Sequence, residues 1–189
     1  MPVQSCLDPR PSPRDRILVA AHDLFYRDGI RATGIDRVIT QAQVTKVTFY
    51  RQFVSKDVLI SAYLAYRHER WISWLNTALT ANQAQYPDSV EALVATFRQW
   101  WTDPLFRGCA FINAAVELGP PSPDTLEVFR RHKADMQATL SQLLPESDHE
   151  SSTKAQALAL AIDGAIIHAQ AGVPLESVCA GLRLLIRHL

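Results

Sequence analysis

Val44-Thr45-Lys46-Val47-Thr48-Phe49-Tyr50-Arg51-Gln52-Phe53 reads as a short helix, about Thr45 to Phe53, with Thr45 as its cap and a polar, basic outer face. About ten residues upstream, Thr33-Gly34-Ile35-Asp36-Arg37-Val38-Ile39 reads as another helix start. Thr33 with Asp36 three residues on fits a capping box, and that helix is predicted over about Gly34 to Ala42. Downstream, Ser55-Lys56 opens a further helix. Helix, short turn, short helix carrying Thr, Lys, Tyr and Arg is the layout of a helix-turn-helix DNA reader.

The rest of the chain reads as helices punctuated by Pro and Gly. Ahead of the motif, Ile17, Ala20, Ala21, Leu24 and Phe25 recur at spacings of three and four, predicting a helix from Pro13 to Asp28. Gly29 then stands where a left-handed terminator is wanted. Beyond the motif, Ser55 caps a long helix to about Gln85. Further helices are predicted over Ser89 to Thr102, Gly108 to Leu118, Pro123 to Leu144, Thr153 to Ala171 and Leu175 to Leu189. Ser147 to Ser152 reads as a polar loop. No repeat and no convincing strand stands out. The expectation is an all-α chain of about nine helices in three segments. These are a flexible arm (1–12), a three-helix head with the DNA-reader layout (13–56) and a larger helical body (57–189), to which the family resemblance given below assigns ligand binding and dimerisation.

Composition supports a packed protein: 48% of the 189 residues are hydrophobic and 20% charged. Formal net charge is zero, but its distribution is uneven. From Met1 to Lys56, nine Lys and Arg stand against five Asp, a net +4; the remainder carries ten against fourteen, a net −4. A basic head on an acidic body can still be steered to phosphate. The three cysteines, Cys6, Cys109 and Cys179, are too scattered for a disulfide framework or a zinc site, which suits a reduced, cytoplasmic setting. Pro9, Pro11 and Pro13 leave no signal-like apolar run near Met1. The most apolar segment, Ala155 to Ile167, contains Asp163 and is too short to span a bilayer, so no membrane partner is expected. The six histidines show no metal-ligand spacing, and no phosphate loop or nucleophile elbow is present. Neither an enzyme nor a cofactor is expected. His168 reads as a core or interface residue.

From Arg16 to Leu59 the chain resembles the TetR family of bacterial transcriptional repressors. Ile17, Ala20, Ala21, Leu24, Phe25, Gly29, Thr33, Ile35, Val38, Ala42, Val44, Lys46, Thr48, Tyr50, Phe53, Ser55, Lys56 and Leu59 all stand where that family places such residues. Three positions depart: the family usually has a small residue at Ile39, Gly at Gln43 and often Gly at Val47. Gln43 matters most, because the turn there favours positive φ. The resemblance implies that Lys46, Val47, Thr48, Arg51 and Gln52 face bases or adjacent phosphates, with the cap Thr45 beside them. It implies that Tyr50 contacts the DNA backbone and that Thr33 and Lys56 donate to phosphates.

For the body, the resemblance implies an effector pocket within the helices that carry Trp71, Trp74, Phe97, Trp100, Trp101, Phe111 and Phe129. Asn113 and Glu117, four apart, share a helix face; with aromatic walls they suit a lipophilic ligand with a polar or cationic group. Cys109 has two readings. Beside Arg107 and a helix start it could be a low-pKa thiolate; as an ordinary free cysteine it would be buried and inert. Leu158, Ile162, Ala165 and Ile166 form one apolar stripe, and Val178, Leu182 and Leu185 another. The resemblance implies that these two helices pair with their copies as a four-helix bundle. The whole reads as a homodimeric repressor released from double-stranded operator DNA by a small lipophilic effector. The alternative is an all-helical carrier or interaction protein without specific DNA binding.

Overall fold

The computed structural model describes residues 11–120, 122–143 and 151–189, and among them finds nine α-helices and no strand. They are α1 (Pro13–Asp28), α2 (Ile35–Ala42), α3 (Lys46–Gln52), α4 (Lys56–Gln83), α5 (Ser89–Trp101), α6 (Ala110–Leu118), α7 (Pro123–Ser141), α8 (Ser151–Gln170) and α9 (Leu175–Arg187). The all-α expectation holds. The chain divides into two compact units, one ending at Tyr63 and one running from Leu64 to Leu189. The boundary therefore falls seven residues beyond the predicted 56/57. The reason is that Leu59, Ile60 and Tyr63, on the first turns of α4, are buried, and Tyr63 packs edge-on against Phe25 of α1.

In the first unit, the predicted stripe on α1 is buried: Ile17, Ala20, Ala21, Leu24 and Phe25 meet Val38 and Ala42 of α2 and Phe49 of α3 in one core. Ser12 caps α1 by accepting from the Asp15 N–H at 3.1 Å, so the end of the predicted flexible arm is fixed. Residues 1–10, with Cys6, lie outside the described residues. Gly29 ends α1 at φ 92°, ψ 152°. This is an extended mirror-image conformation, open essentially to Gly alone, rather than the left-handed helical one expected. The predicted capping box on α2 is absent. Gly34 is the N-cap and supplies no side chain. Thr33 is fully buried, and its hydroxyl donates back to the Gly29 carbonyl at 2.8 Å.

The α2–α3 turn resolves the Gln43 question. Gln43 adopts φ 52°, ψ 50°, and it is the one non-glycine residue at positive φ among those described. Its N–H closes onto the Ile39 and Thr40 carbonyls. Arg16 of α1 donates to the Ala42 and Gln43 carbonyls at 3.2 and 3.1 Å, which satisfies acceptors that a helix end leaves open. Arg14 similarly donates to the Gln52 carbonyl at 3.3 Å and lies over the Phe53 ring. Two cations on α1 thus clasp both ends of the α3 segment.

In the second unit, Leu75, Leu79, Leu93, Val94, Phe97, Met136, Leu140, Leu158 and Ile162 are core. Ion pairs tie its helices at the rim: Lys133 of α7 to Asp163 of α8 at 2.6 Å, and Arg183 of α9 to Glu91 of α5 at 2.9 Å. Several predicted ends shift. Ser55 does accept from the Val58 N–H as a cap, but α4 stops at Gln83. α6 starts at Ala110 because Gly108 sits at φ 77° and Cys109 is the N-cap. α7 stops at Ser141, with Leu144 outside the described residues. Ser151 and Ser152 belong to α8 rather than to a loop, and residues 147–150 lie outside the described set.

A left-handed conformation costs a side-chain-bearing residue about 1–2 kcal/mol, and Gly removes that strain while adding disorder to the unfolded chain. Gln43→Gly should therefore stabilise the protein by about 0.5–1 kcal/mol. Urea unfolding of the two proteins measures this; a lower midpoint for the variant would show that the Gln43 side chain, rather than its backbone, holds the turn.

Candidate nucleic-acid interface and body cavity

The first unit presents α3 as a helix buried on one side and exposed on the other. Phe49 and Phe53 are fully buried, which fixes the helix rotation. Lys46, Val47 and Arg51 consequently point outward, with Val47 68% exposed and Tyr50 42% exposed. An apolar side chain as open as Val47 gains nothing from folding, so it is available to a thymine methyl. Thr45 caps α3: its Oγ1 accepts from the Thr48 N–H at 3.1 Å and lies 2.9 Å from the Thr48 hydroxyl. Lys46 stands 3.7 Å from Asp36 in an exposed pair, too weak to withhold it from phosphate. Gln52 is half-buried.

Two residues expected at phosphates have internal work. The Thr33 hydroxyl is used within the fold, as described above. The Lys56 ammonium donates to the Ile30 carbonyl at 2.6 Å and lies 5.9 Å from the Phe25 ring centre. An ammonium has three donors, so Lys56 can hold the chain ahead of α2 and still offer a proton outward. Sequence reasoning missed Arg14 and Arg16 as supports for this face.

In the second unit the predicted aromatics gather. Trp71 lies 5.5 Å from Trp100 and 6.5 Å from Phe97; Phe97 lies 5.9 Å from Trp101, Trp74 5.9 Å from Trp100, and Phe111 5.7 Å from Phe129. Trp71, Trp100 and Phe111 line a small cavity with Arg67, Cys109, Ala110 and His132. Its free space is about 10 Å³. Trp74, Phe97, Trp101 and Phe129 do not line it. Neither do Asn113 and Glu117. Asn113 is engaged by the Arg107 carbonyl and by Gln170, at 2.8 and 3.2 Å, and Glu117 is half-buried on α6. The lining therefore brings Arg67 to the aromatics instead of a carboxylate.

Cys109 is buried, and burial pushes its thiol pKa up despite the nearby Lys133. The inert reading fits this geometry and the low-pKa thiolate does not.

The histidines carry a pattern the sequence did not show. His68 and His132, 64 positions apart, are both buried with their Nδ1 atoms 3.4 Å apart. The His68 Nε2 faces the Asp135 carboxylate at 3.3 Å. A carboxylate only accepts, so Nε2 carries the His68 proton and Nδ1 is its lone pair. His132 then donates through Nδ1. Its ring stacks on Phe111, with centroids 3.8 Å apart at 11°. Burial, then the charges of Lys133, His68 and Arg67, push the His132 pKa down to about 2. Burial, then Arg131, lowers that of His68, against Glu69 and Asp135.

The stripes expected to form the association surface on α8 and α9 are mostly buried within the chain. Leu158, Ile162, Ile166, Val178 and Leu182 are buried within the one chain, and Ala165 nearly so. They pack into the protomer, while Ala165, Val178 and Leu182 also reach the surface between α8 and α9. Of the predicted set only Leu185 is openly exposed. The outer face instead carries Leu160 (67% exposed), Ile167, Leu184 (62%) and Leu185. Between α8 and α9 lies an open groove of about 400 Å³, lined by Ala161, Gly164, Ala165, Val173, Gly181 and Leu185 among others. His168, expected in a core or interface, is exposed on this groove.

His132 generates a pH prediction. Its pKa is lower folded than unfolded, so below about 6.5 the unfolded chain binds the extra proton. Stability should fall as pH drops from about 6.5 towards 2, by up to about 1.4 kcal/mol per pH unit from this residue. Urea unfolding across pH 4–7 should show a shallower decline for His132→Gln than for wild type; equal slopes would mean that His132 is protonated in the fold.

With this geometry in place, comparison with known proteins gives a consistent result. Residues 17–63 match the model of the bacterial regulatory proteins of the tetR family. A solved TetR-family transcriptional regulator from Streptomyces coelicolor is 30% identical, over 93% of this chain and 95% of that one, with a TM-score of 0.75. The transcriptional repressor ComR of Escherichia coli is 24% identical over 179 residues, 90% of this chain and 85% of ComR. The repressor NemR of the same organism is 24% identical over 132 residues, 69% of this chain and 66% of NemR, just under two thirds of its length. The chain belongs to the TetR family of bacterial regulatory proteins.

Proposed function

We propose that the protein is a homodimeric transcriptional repressor that binds operator DNA through α3 and is released by a small lipophilic effector bound in the second unit. The observation that carries this is the state of α3. Its apolar side is fully buried, while Lys46, Val47, Tyr50 and Arg51 are turned out on a helix short enough for the major groove. ComR and NemR, both named as repressors, support the sign of regulation. A regulator working on DNA has no catalytic step to perform. Its place would be the cytoplasm, and no described helix is long and apolar enough to cross a membrane.

A homodimer is needed because one seven-residue helix reads too few bases, whereas two read a palindrome about 34–36 Å apart. The second copy would cover the exposed apolar face of α8 and α9. Its small residues, Ala161, Gly164 and Gly181, allow close helix approach, and Leu160, Ile167, Leu184 and Leu185 supply the apolar area. For release, α4 is the natural lever. It starts in the core of the first unit with Leu59 and Tyr63, and it continues to Arg67 and Trp71 on the cavity wall. The cavity as it stands has room for about one water molecule, so an effector must part its rings. The effector thus binds a different conformer, which is the condition for shifting a DNA-binding equilibrium.

Binding to fragments of the source genome, with sequencing of the retained DNA, tests the reading; the absence of any sequence-selective complex at low salt would sink it. On the recovered operator, Lys46→Ala should weaken binding and reduce the slope of log affinity against log salt by about 0.9, one phosphate contact. An unchanged slope would remove Lys46 from the backbone. Leu184→Glu should yield a helical monomer in analytical ultracentrifugation, because a dimer would bury the new charge unpaired. A variant that stays dimeric would place the interface elsewhere.

A further inference from the structure

We propose that the cavity beside Trp71 selects flat, apolar compounds bearing a carboxylate or other oxygen acceptor, and that it discriminates against cations. This rests on the reading of the second unit as a ligand-responsive body and names the chemistry of that site. The cationic ligand suggested by Glu117 is thereby replaced, since Glu117 is not on the lining.

Three observations carry the inference. First, Trp71 is buried, and its indole N–H has no hydrogen-bond partner among the described residues. A buried donor without a partner is destabilising, and a ligand oxygen would satisfy it. Second, the lining contains Arg67 and no carboxylate. A guanidinium has five donors in a planar fork, so it can take a carboxylate edge even while it holds another partner. His132, the other titratable ring of the wall, stays neutral; Lys133, which also acts on it, is paired with Asp163, so Arg67 is the charge that the lining itself presents. The local field therefore favours an anion or the oxygen end of a dipole and opposes an ammonium. Third, the walls are flat rings: Phe111 stacked on His132, and Trp71 edge-on to Trp100. Parting plates of this kind admits a planar body between them, with its polar end towards Arg67 and the indole N–H.

The test uses three compounds on one ring system: 1-naphthoate, 1-naphthamide and 1-naphthylmethylammonium. Their binding to the full chain is measured by titration calorimetry, with tryptophan fluorescence as a second readout. Naphthoate should bind roughly tenfold more tightly than the ammonium, with the amide between them. Arg67→Gln should weaken naphthoate roughly tenfold and the amide much less; Trp71→Phe should weaken both. Circular dichroism checks that each variant keeps its helices, and the wild-type ranking tests the idea without any variant. Equal or tighter binding of the ammonium, naphthoate binding untouched by both substitutions, or no binding of any of the three overturns the proposal. Operator release is scored separately. Naphthoate that binds without releasing DNA upholds the ligand class and removes the release mechanism. Release by some other compound, with naphthoate excluded, removes the ligand class and leaves the mechanism standing.

Discussion

The first unit depends on one turn, the left-handed residue at Gln43 and the cation that closes it. Helices α2 and α3 can pack on α1 together only if the chain reverses within Gln43, Val44 and Thr45. That reversal needs positive φ, where a side chain is strained by about 1–2 kcal/mol. Arg16 offsets the strain from outside the turn. Its guanidinium reaches the two carbonyls, Ala42 and Gln43, that the ending helix exposes. A charged donor makes these bonds stronger than a neutral one would. With the turn held, Phe49 and Phe53 enter the core, and only then do Lys46, Val47 and Arg51 acquire a common outward face. The proposed reading surface is thus a consequence of a backbone constraint met by α1.

A different constraint governs the second unit. Its aromatic rings and two imidazoles are packed so closely that almost no free space remains, yet the packing leaves two indole N–H groups without partners. A core built only for stability would avoid such donors. One of them, Trp71, stands against His132, and together they mark a packing that is not fully satisfied as it stands. A region of that kind has the most to gain from a second arrangement with a ligand inside, which is what a two-state regulator requires.

The head was legible in the sequence because its determinants are local. Ser55 and Thr45 as caps, Gly29 as a terminator, and the three-and-four spacing of Ile17 to Phe25 each act within one helical turn. Gln43 was recognisable as a problem, though not as a problem that Arg16 helps to solve. Failures came where a side chain had two possible partners. Thr33 matched a capping pattern, but the Gly29 carbonyl lay nearer and burial favoured it. The His68–His132 pair joins residues 64 apart, so no local pattern could announce it. Glu117 shares a helix face with Asn113 as expected, yet helical spacing says nothing about which face meets the aromatics.

The stripes on α8 and α9 show the same limit, and they lead to the last structural step. Periodicity finds apolar rows but cannot rank them when a helix has two. On α8 the row Ala155, Leu158, Ile162, Ile166 is buried, while Leu160, Ala161, Gly164 and Ile167 lie on the other side. On α9 the row Val178, Leu182 is buried, while Gly181, Leu184 and Leu185 are exposed. The stronger row was assigned to the dimer; in the protomer it is mostly buried, with Ala165, Val178 and Leu182 also lining the groove. The weaker row remains. A helix apolar on both sides is stable in water only when both sides are covered. Its small residues at Ala161, Gly164 and Gly181 suit a helix lying close against it, and a symmetric copy presents helices of that same shape. The second copy is therefore the occupant that this face best fits, and it is the one that the proposed reading of a palindromic operator would require.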